Sequence, residues 1–177
     1  MKDKDPSKIF LVGMMGTGKT SIGSCVARKL KLKFLDSDHE IERLAGADIH
    51  WIFDVEGEEG FRTREQQIID DITQHEGIVL ATGGGAIVRK ENQRVLKERG
   101  IVVYLKANLE ELTLRTRYGR TRPMLRVGNR KEILDKLYKE REHLYESIAD
   151  FTYRTDEKSM ITICRQICRD INDLKKS

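Results

Sequence analysis

The chain has 177 residues, close to the ~150 typical of one domain, which favours one compact unit over 1–177. Thirty-three Lys and Arg against 29 Asp and Glu leave a net charge of +4, and 35% charged with 38% apolar residues excludes a disordered or fibrous chain. Uncharged runs such as Ile9 to Gly18, about ten residues, fall well short of the ~20 that span a bilayer, and Asp3 and Asp5 stand where a secretion signal wants positive charge, so a cytoplasmic protein is expected.

The first apolar run, Ile9 to Val12, predicts a strand, and Gly13-Met14-Met15-Gly16-Thr17-Gly18-Lys19-Thr20 follows it directly. This matches G-x-x-x-x-G-K-[ST] in full. Its glycines allow successive N–H groups to turn onto phosphate oxygens at the start of a helix predicted over Thr20 to Leu32. Lys19 then reaches the β- and γ-phosphates, and the Thr20 hydroxyl ligates Mg²⁺. A second strand at Phe34 to Leu35 runs into Asp36-Ser37-Asp38. Carboxylates two apart in an extended segment point the same way, so both are expected to face the γ-phosphate and its magnesium. Capping of the helix predicted over Asp38 to Ala45 is the plainer reading of Asp38.

Trp51, Phe53 and Val55 are expected to pack or close the substrate-side helices. Asp54-Val55-Glu56-Gly57 spells the D-x-x-G of a regulatory nucleotide switch, but it follows a helix-like stretch, and no N-K-x-D sequence occurs downstream. A helix predicted over Gly57 to His75 opens with Phe61-Arg62-Thr63-Arg64-Glu65, whose guanidinium forks match a carboxylate, with Glu65 able to hold Arg62. After a third strand, Ile78 to Ala81, Thr82-Gly83-Gly84-Gly85 lets a small ligand lie against main-chain N–H groups. Arg89 to Arg99 predicts a helix, Ile101 to Leu105 a strand and Leu109 to Arg117 another helix.

Arg115, Arg117, Arg120, Arg122, Arg126, Arg130 and Lys131 then form a basic stretch without one acidic residue. Tyr118 alone offers base stacking there, so nucleic acid is the weaker reading. Gly119, Pro123 and Gly128 suit a lid that closes charge over polyphosphate and excludes water. A helix over Lys131 to Ile148, a strand over Phe151 to Tyr153 and a helix over Ser159 to Lys175 complete the chain. Cys25, Cys164 and Cys168 lack the spacing of a disulfide framework or zinc site, which predicts reduced thiols, the latter two on a buried apolar stripe with Ile161, Ile167, Ile171 and Leu174. Strands alternating with helices predict a parallel sheet covered on both faces, with ligands beyond its carboxyl ends.

The phosphate loop, D-S-D, F-R-x-x-E, G-G-G and Arg122-Pro123-Met124-Leu125, in this order and spacing, resemble the shikimate kinase family from Lys8 to the last helix. The resemblance implies an α/β P-loop NTPase fold of the nucleoside-monophosphate-kinase type: three layers, a five-stranded parallel sheet, substrate-binding helices at about 38–75 and an arginine-rich lid at about 115–130. It implies transfer of the γ-phosphoryl of ATP to the 3-hydroxyl of shikimate on the way to chorismate and the aromatic amino acids. Shikimate and ATP are the implied partners of a monomer, Mg²⁺ its cofactor, with no role for nucleic acid or membrane.

Position by position, the resemblance puts ATP on Gly13, Met14, Met15, Gly16, Thr17, Gly18, Lys19, Thr20 and Ser21, with Arg115 against adenine. Thr20 and, through water, Asp36 would hold the metal. Asp38 would bind the shikimate hydroxyls as candidate base, Gly83, Gly84 and Gly85 would line the pocket, and Arg62 and Arg141 would clamp the carboxylate. Lys19 and Arg122 would stabilise the transferring phosphoryl. Thr155-Asp156-Glu157-Lys158 lacks the proline usual in the family's adenine loop, which bears on base recognition. A gluconate kinase needs similar groups, but its family lacks F-R-x-x-E and the R-P lid pattern.

Overall fold

The computed structural model describes residues 4–117 and 130–176, with five strands paired in parallel in the order β2-β3-β1-β4-β5. The strands are β1 (Lys8–Val12), β2 (Lys33–Asp36), β3 (Ile78–Ala81), β4 (Ile101–Lys106) and β5 (Phe151–Arg154). β1, β3 and β4 are buried almost throughout, whereas β2 and β5 are half-exposed edges. Continuous apolar runs therefore belong to the central strands, where helices cover both faces.

Alternation along each strand divides the core in two. Phe10, Val12, Leu80, Val102 and Tyr104 face α3 (Ile49–Gln74), α4 (Lys90–Arg99) and α6 (Arg130–Ile148). Ile9, Leu11, Val79, Val103 and Leu105 face α1 (Lys19–Leu30) and α7 (Met160–Leu174). The remaining helices are α2 (Ser37–Ala45) and α5 (Leu109–Thr116), and a single 3-10 turn spans Ala86–Val88. The connection from β1 runs through α1 to the β2 edge, and that from β3 runs through α4 to the opposite half. Adjacent strands that send their connections in opposite directions open a crevice at their carboxyl ends. The phosphate loop and the triple-glycine turn meet there.

Three expectations need correction. A helical segment precedes the expected start at Gly57: α3 runs from Ile49, where the Asp48 side chain accepts from the Trp51 N–H at 2.8 Å, and is kinked at Gly57 (φ +71°), where two helices join. A glycine inside a helical pattern reads as a boundary, which hid the earlier turns. Of the three side chains expected to pack or close the substrate-side helices, Trp51 and Val55 are 54% and 61% exposed and so do not pack, while Phe53 rests on Phe61 with ring centroids 4.7 Å apart. Cys25 of α1 and Cys164 of α7 are joined as a disulfide, with Cα atoms 6.2 Å apart, and Cys168 alone is free. Their 139-residue separation carries no local signal; the α1–α7 contact brings them together. Asp54 to Gly57 lies within α3, far from the phosphate loop in sequence, so its switch-like spelling follows no strand.

Candidate active site

β1 leads the chain directly into the phosphate loop. Gly13, Gly16 and Gly18 adopt φ of +142°, +85° and +89°, and a Cβ on Gly13 would run into the Leu105 carbonyl of β4. Only glycine meets both demands at that position. The buried Lys19 ammonium donates to the Gly13 and Met14 carbonyls at 2.7 and 2.9 Å, and Thr17 Oγ1 donates to the Met14 carbonyl at 2.8 Å. A cation thus sits inside the loop whose N–H groups suit phosphate. Met14 and Met15 turn their side chains into the core, which leaves their main chain as the ligand surface.

Thr20 Oγ1 donates to Asp36 Oδ2 at 2.8 Å, placing two hard oxygen donors beside the loop. Among the described residues no group of three or more His, Cys, Asp or Glu could hold a metal unaided. A hydroxyl and a carboxylate suit magnesium, which keeps several waters and relies on substrate phosphates for the rest of its shell. On the other side of the loop, a cavity of about 330 Å³ is lined by Gly16, Gly18, Ser21, Arg115, Thr155 and Lys158. Arg115 is held there by Glu111 Oε1 at 2.7 Å, the Thr155 carbonyl at 2.7 Å and the Gly16 carbonyl at 3.3 Å. Asp156 accepts from the Asn108 N–H at 2.9 Å and from Arg154, whose guanidinium holds its carboxyl down to about 2. It therefore fixes the loop after β5 as an anion.

The two aspartates of D-S-D do not share an extended segment. Asp36 ends β2 and caps α2, accepting from the Asp38 N–H at 3.1 Å, while Asp38 stands in the first helical turn. The change from strand to helix turns the carboxylates to different partners: Asp36 to Thr20, and Asp38 to Gly83, where a Cβ would lie 2.6 Å from Asp38 Oδ1. The serine between them is fully buried, and its Oγ accepts from the Gly83 N–H at 2.8 Å. Ser37 is a residue that motif reading passed over. Its signal was its place next to a helix start, where hydroxyls bind main-chain donors.

The triple-glycine turn collects the remaining groups. Arg62 and Arg141 are only 7% and 5% exposed. The Arg62 guanidinium lies against Gly85, donates to Glu65 Oε2 at 2.7 Å and to Glu58 Oε1 at 3.3 Å, and Arg141 Nη1 reaches the Gly84 carbonyl at 3.4 Å. Burial pulls the Arg62 pKa down, but the charges and hydrogen bonds of Glu65 and Glu58 together outweigh it and raise it above the ordinary value. Glu65 is 1% exposed, and its Oε1 has no hydrogen-bond partner. A Cβ on Gly83 would lie 2.7 Å from that oxygen. Burial pushes the Glu65 carboxyl up to about 7, against the pull of Arg62, with the Asp38 charge adding to the rise. The sequence reading gave Glu65 only a supporting part, yet it is the most deeply buried acid of the cluster. Arg122 lies outside the described residues, as does most of the basic stretch.

Asp38, Arg62, Glu65 and Arg141 therefore surround one turn, and Gly84 of that turn packs on the Gly13 carbonyl and Met15 nitrogen of the phosphate loop. Two guanidinium groups beside two carboxylates suit a ligand that is both an acid and a polyol. Residues 15–172 match the family model for shikimate kinase. This chain belongs to the shikimate kinase family. It is 50% identical over 165 residues to a shikimate kinase of Vibrio parahaemolyticus, covering 93% of this chain and 96% of the relative. With that of Vibrio vulnificus strain YJ016 it is 51% identical over the same coverage. The shikimate kinase of Acinetobacter baumannii, solved in complex with shikimate, superposes with a TM-score of 0.92 at 45% identity, covering 96% and 95% of the two chains. A gluconokinase of Sinorhizobium meliloti reaches a TM-score of 0.59 at 16% identity, a likeness of fold alone. Shikimate kinase membership makes the chain a phosphotransferase with an alcohol acceptor, and the five-stranded parallel sheet is that of the P-loop kinases.

Proposed function

We propose that the chain transfers the γ-phosphoryl of ATP to the 3-hydroxyl of shikimate, and that the residues around the triple-glycine turn are the acceptor site. The observation that carries this reading is the meeting of Asp38, Arg62, Arg141 and Gly83–Gly85 on the backbone of the phosphate loop. Arg62 and Arg141 grip the ring carboxylate, and Asp38 accepts from the ring hydroxyls. Lys19 and the loop N–H groups hold the β- and γ-phosphates, with adenine in the cavity beside Arg115. As the new O–P bond forms and the bond to the β-phosphate oxygen breaks, the hydroxyl proton passes to the Asp38 carboxylate. Magnesium, held by Thr20 and through water by Asp36, supplies charge neutralisation at the phosphates when bound. Arg122, carried by the family resemblance, completes the neutralisation from the lid.

In the same reading the enzyme is a cytoplasmic monomer acting on two small molecules, without nucleic acid or membrane. No described helix is long and apolar enough to cross a membrane. The test is ADP release, followed in a coupled assay with magnesium, on shikimate, gluconate and AMP as acceptors. Turnover with shikimate and little with the other two is expected. Equal turnover on AMP would overturn the acceptor assignment.

A further inference from the structure

Tyr145 of α6 takes no part in the mechanism above, yet its hydroxyl reaches the point where the two substrate sites touch. The residue is 1% exposed, its ring stacks on Tyr104 with centroids 5.2 Å apart, and its hydroxyl donates to the Gly84 carbonyl at 2.5 Å. Met14 Sδ of the phosphate loop lies 3.7 Å from the same hydroxyl oxygen. Gly84 itself rests on the loop backbone, where a Cβ would come within 3.2 Å of the Met15 nitrogen and 3.6 Å of the Gly13 carbonyl oxygen.

We propose that Tyr145 is a positioning residue for phosphoryl transfer: its hydroxyl fixes the Gly84–Gly85 peptide and so sets the acceptor turn against the phosphate loop. The inference rests on the assignment of Gly83–Gly85 and Arg141 to the shikimate site. A trans peptide carries its C=O and N–H on opposite sides, so pinning the Gly84 oxygen toward α6 turns the Gly85 N–H away, on the residue that lies against Arg62. The Gly84 carbonyl also receives the longer contact from Arg141 Nη1 at 3.4 Å. With Tyr145 as its main donor, the carbonyl asks little of the Arg141 guanidinium, which also lies beside the phenol oxygen and is so held at the turn. Without the hydroxyl, the part-buried carbonyl draws on Arg141 instead. Burial pushes the phenol well above its usual pKa, so it remains a donor at every pH the enzyme meets. Reactants must be held close to the attack geometry for rate, and this one bond registers the acceptor to the donor.

Tyr145→Phe removes one oxygen and keeps the stacked ring. The expected result is a five- to twentyfold rise in KM for shikimate with a lower kcat, KM for ATP within twofold of wild type, and a melting midpoint changed by only a few degrees. A p-aminophenylalanine placed at 145 by amber suppression restores an N–H donor and should bring the shikimate KM back toward wild type. An unchanged shikimate KM in Tyr145→Phe, or both KM values rising together, overturns the proposal. Should Tyr145→Phe lose its fold, the amino variant decides: recovery of the shikimate KM supports the role, and an elevated KM in a folded amino variant overturns it. Arg141→Ala, run in parallel, separates the two levels. If it raises the shikimate KM while Tyr145→Phe does not, the pocket stands and the positioning role fails. If it leaves the KM unchanged, the pocket assignment fails and takes this inference with it.

Discussion

Lys19 shows how much one buried charge is arranged to do. Its ammonium is held by two loop carbonyls at 2.7 and 2.9 Å, so it is aimed before any phosphate arrives. Stabilisation that needs no reorganisation is worth most in the transition state, and Lys19→Ala should cost more than ~3 kcal/mol there, seen as a fall in kcat of at least a hundredfold. An unchanged kcat would refute the role. Glu65 presents the opposite case, a charge whose burial is costly. Its carboxyl rises from the ordinary 4.5 to about 7 through burial, against the pull of Arg62. An acid raised on folding binds more protons folded than unfolded between those values, so its contribution to stability is full below pH 4.5 and is lost as pH climbs through 7. The interval corresponds to about 3 kcal/mol. Glu65→Gln keeps an acceptor for Arg62 and cannot ionise. The wild-type Tm should therefore fall relative to that of the variant between pH 4.5 and 7 and then level off. A constant difference across the range would mean that Glu65 stays ionised.

Among the elements, the triple-glycine turn ties the acceptor half together. Ser37 of α2, Arg62 and Glu65 of α3, and Arg141 of α6 all meet it. In Gly83→Ala the new methyl would sit 2.6 Å from Asp38 Oδ1 and 2.7 Å from Glu65 Oε1, displacing both carboxylates. We expect the shikimate KM to rise at least tenfold while KM for ATP stays within twofold; an unaltered shikimate KM would remove the turn from the acceptor site. Much at this scale was legible beforehand. All five strands lie within about two residues of their apolar runs, and in the three central ones continuous burial on two faces leaves a plain sequence mark. The phosphate loop follows β1, and Arg62 and Arg141 both reach the triple-glycine turn. What escaped was conformation that depends on a single junction. D-S-D looks extended from its aspartates, yet the Asp36 cap starts α2 one residue later and sends Asp38 elsewhere. The first turns of α3 were hidden by Gly57, whose φ of +71° makes a break inside a longer helix. Ser37 and Tyr145 bond main-chain groups of distant glycines; the helix start marks Ser37 as a main-chain partner, but no local spacing names the glycine that either one meets.

For the molecule as a whole, the Cys25–Cys164 disulfide links the helix that follows the phosphate loop to the last helix, closing 139 residues of chain. Loop-closure entropy for that length corresponds to about 5 kcal/mol. Thermal unfolding with and without a thiol reductant measures it directly: the midpoint should drop by several degrees on reduction, and an unmoved midpoint would show that the link contributes nothing to stability in solution. The sheet order has a kinetic consequence as well. Under the proposed assignment, ATP lies on the flank of β4 and β5 beside Arg115 and Thr155, and the acid lies on the flank of β2 and β3 beneath α2 and α3. The central strand stands between them like the spine of an open book, with Gly84 on the loop backbone as a place where the pages touch. Neither compound must pass through the other's doorway, so random order of addition is the scheme that this architecture favours.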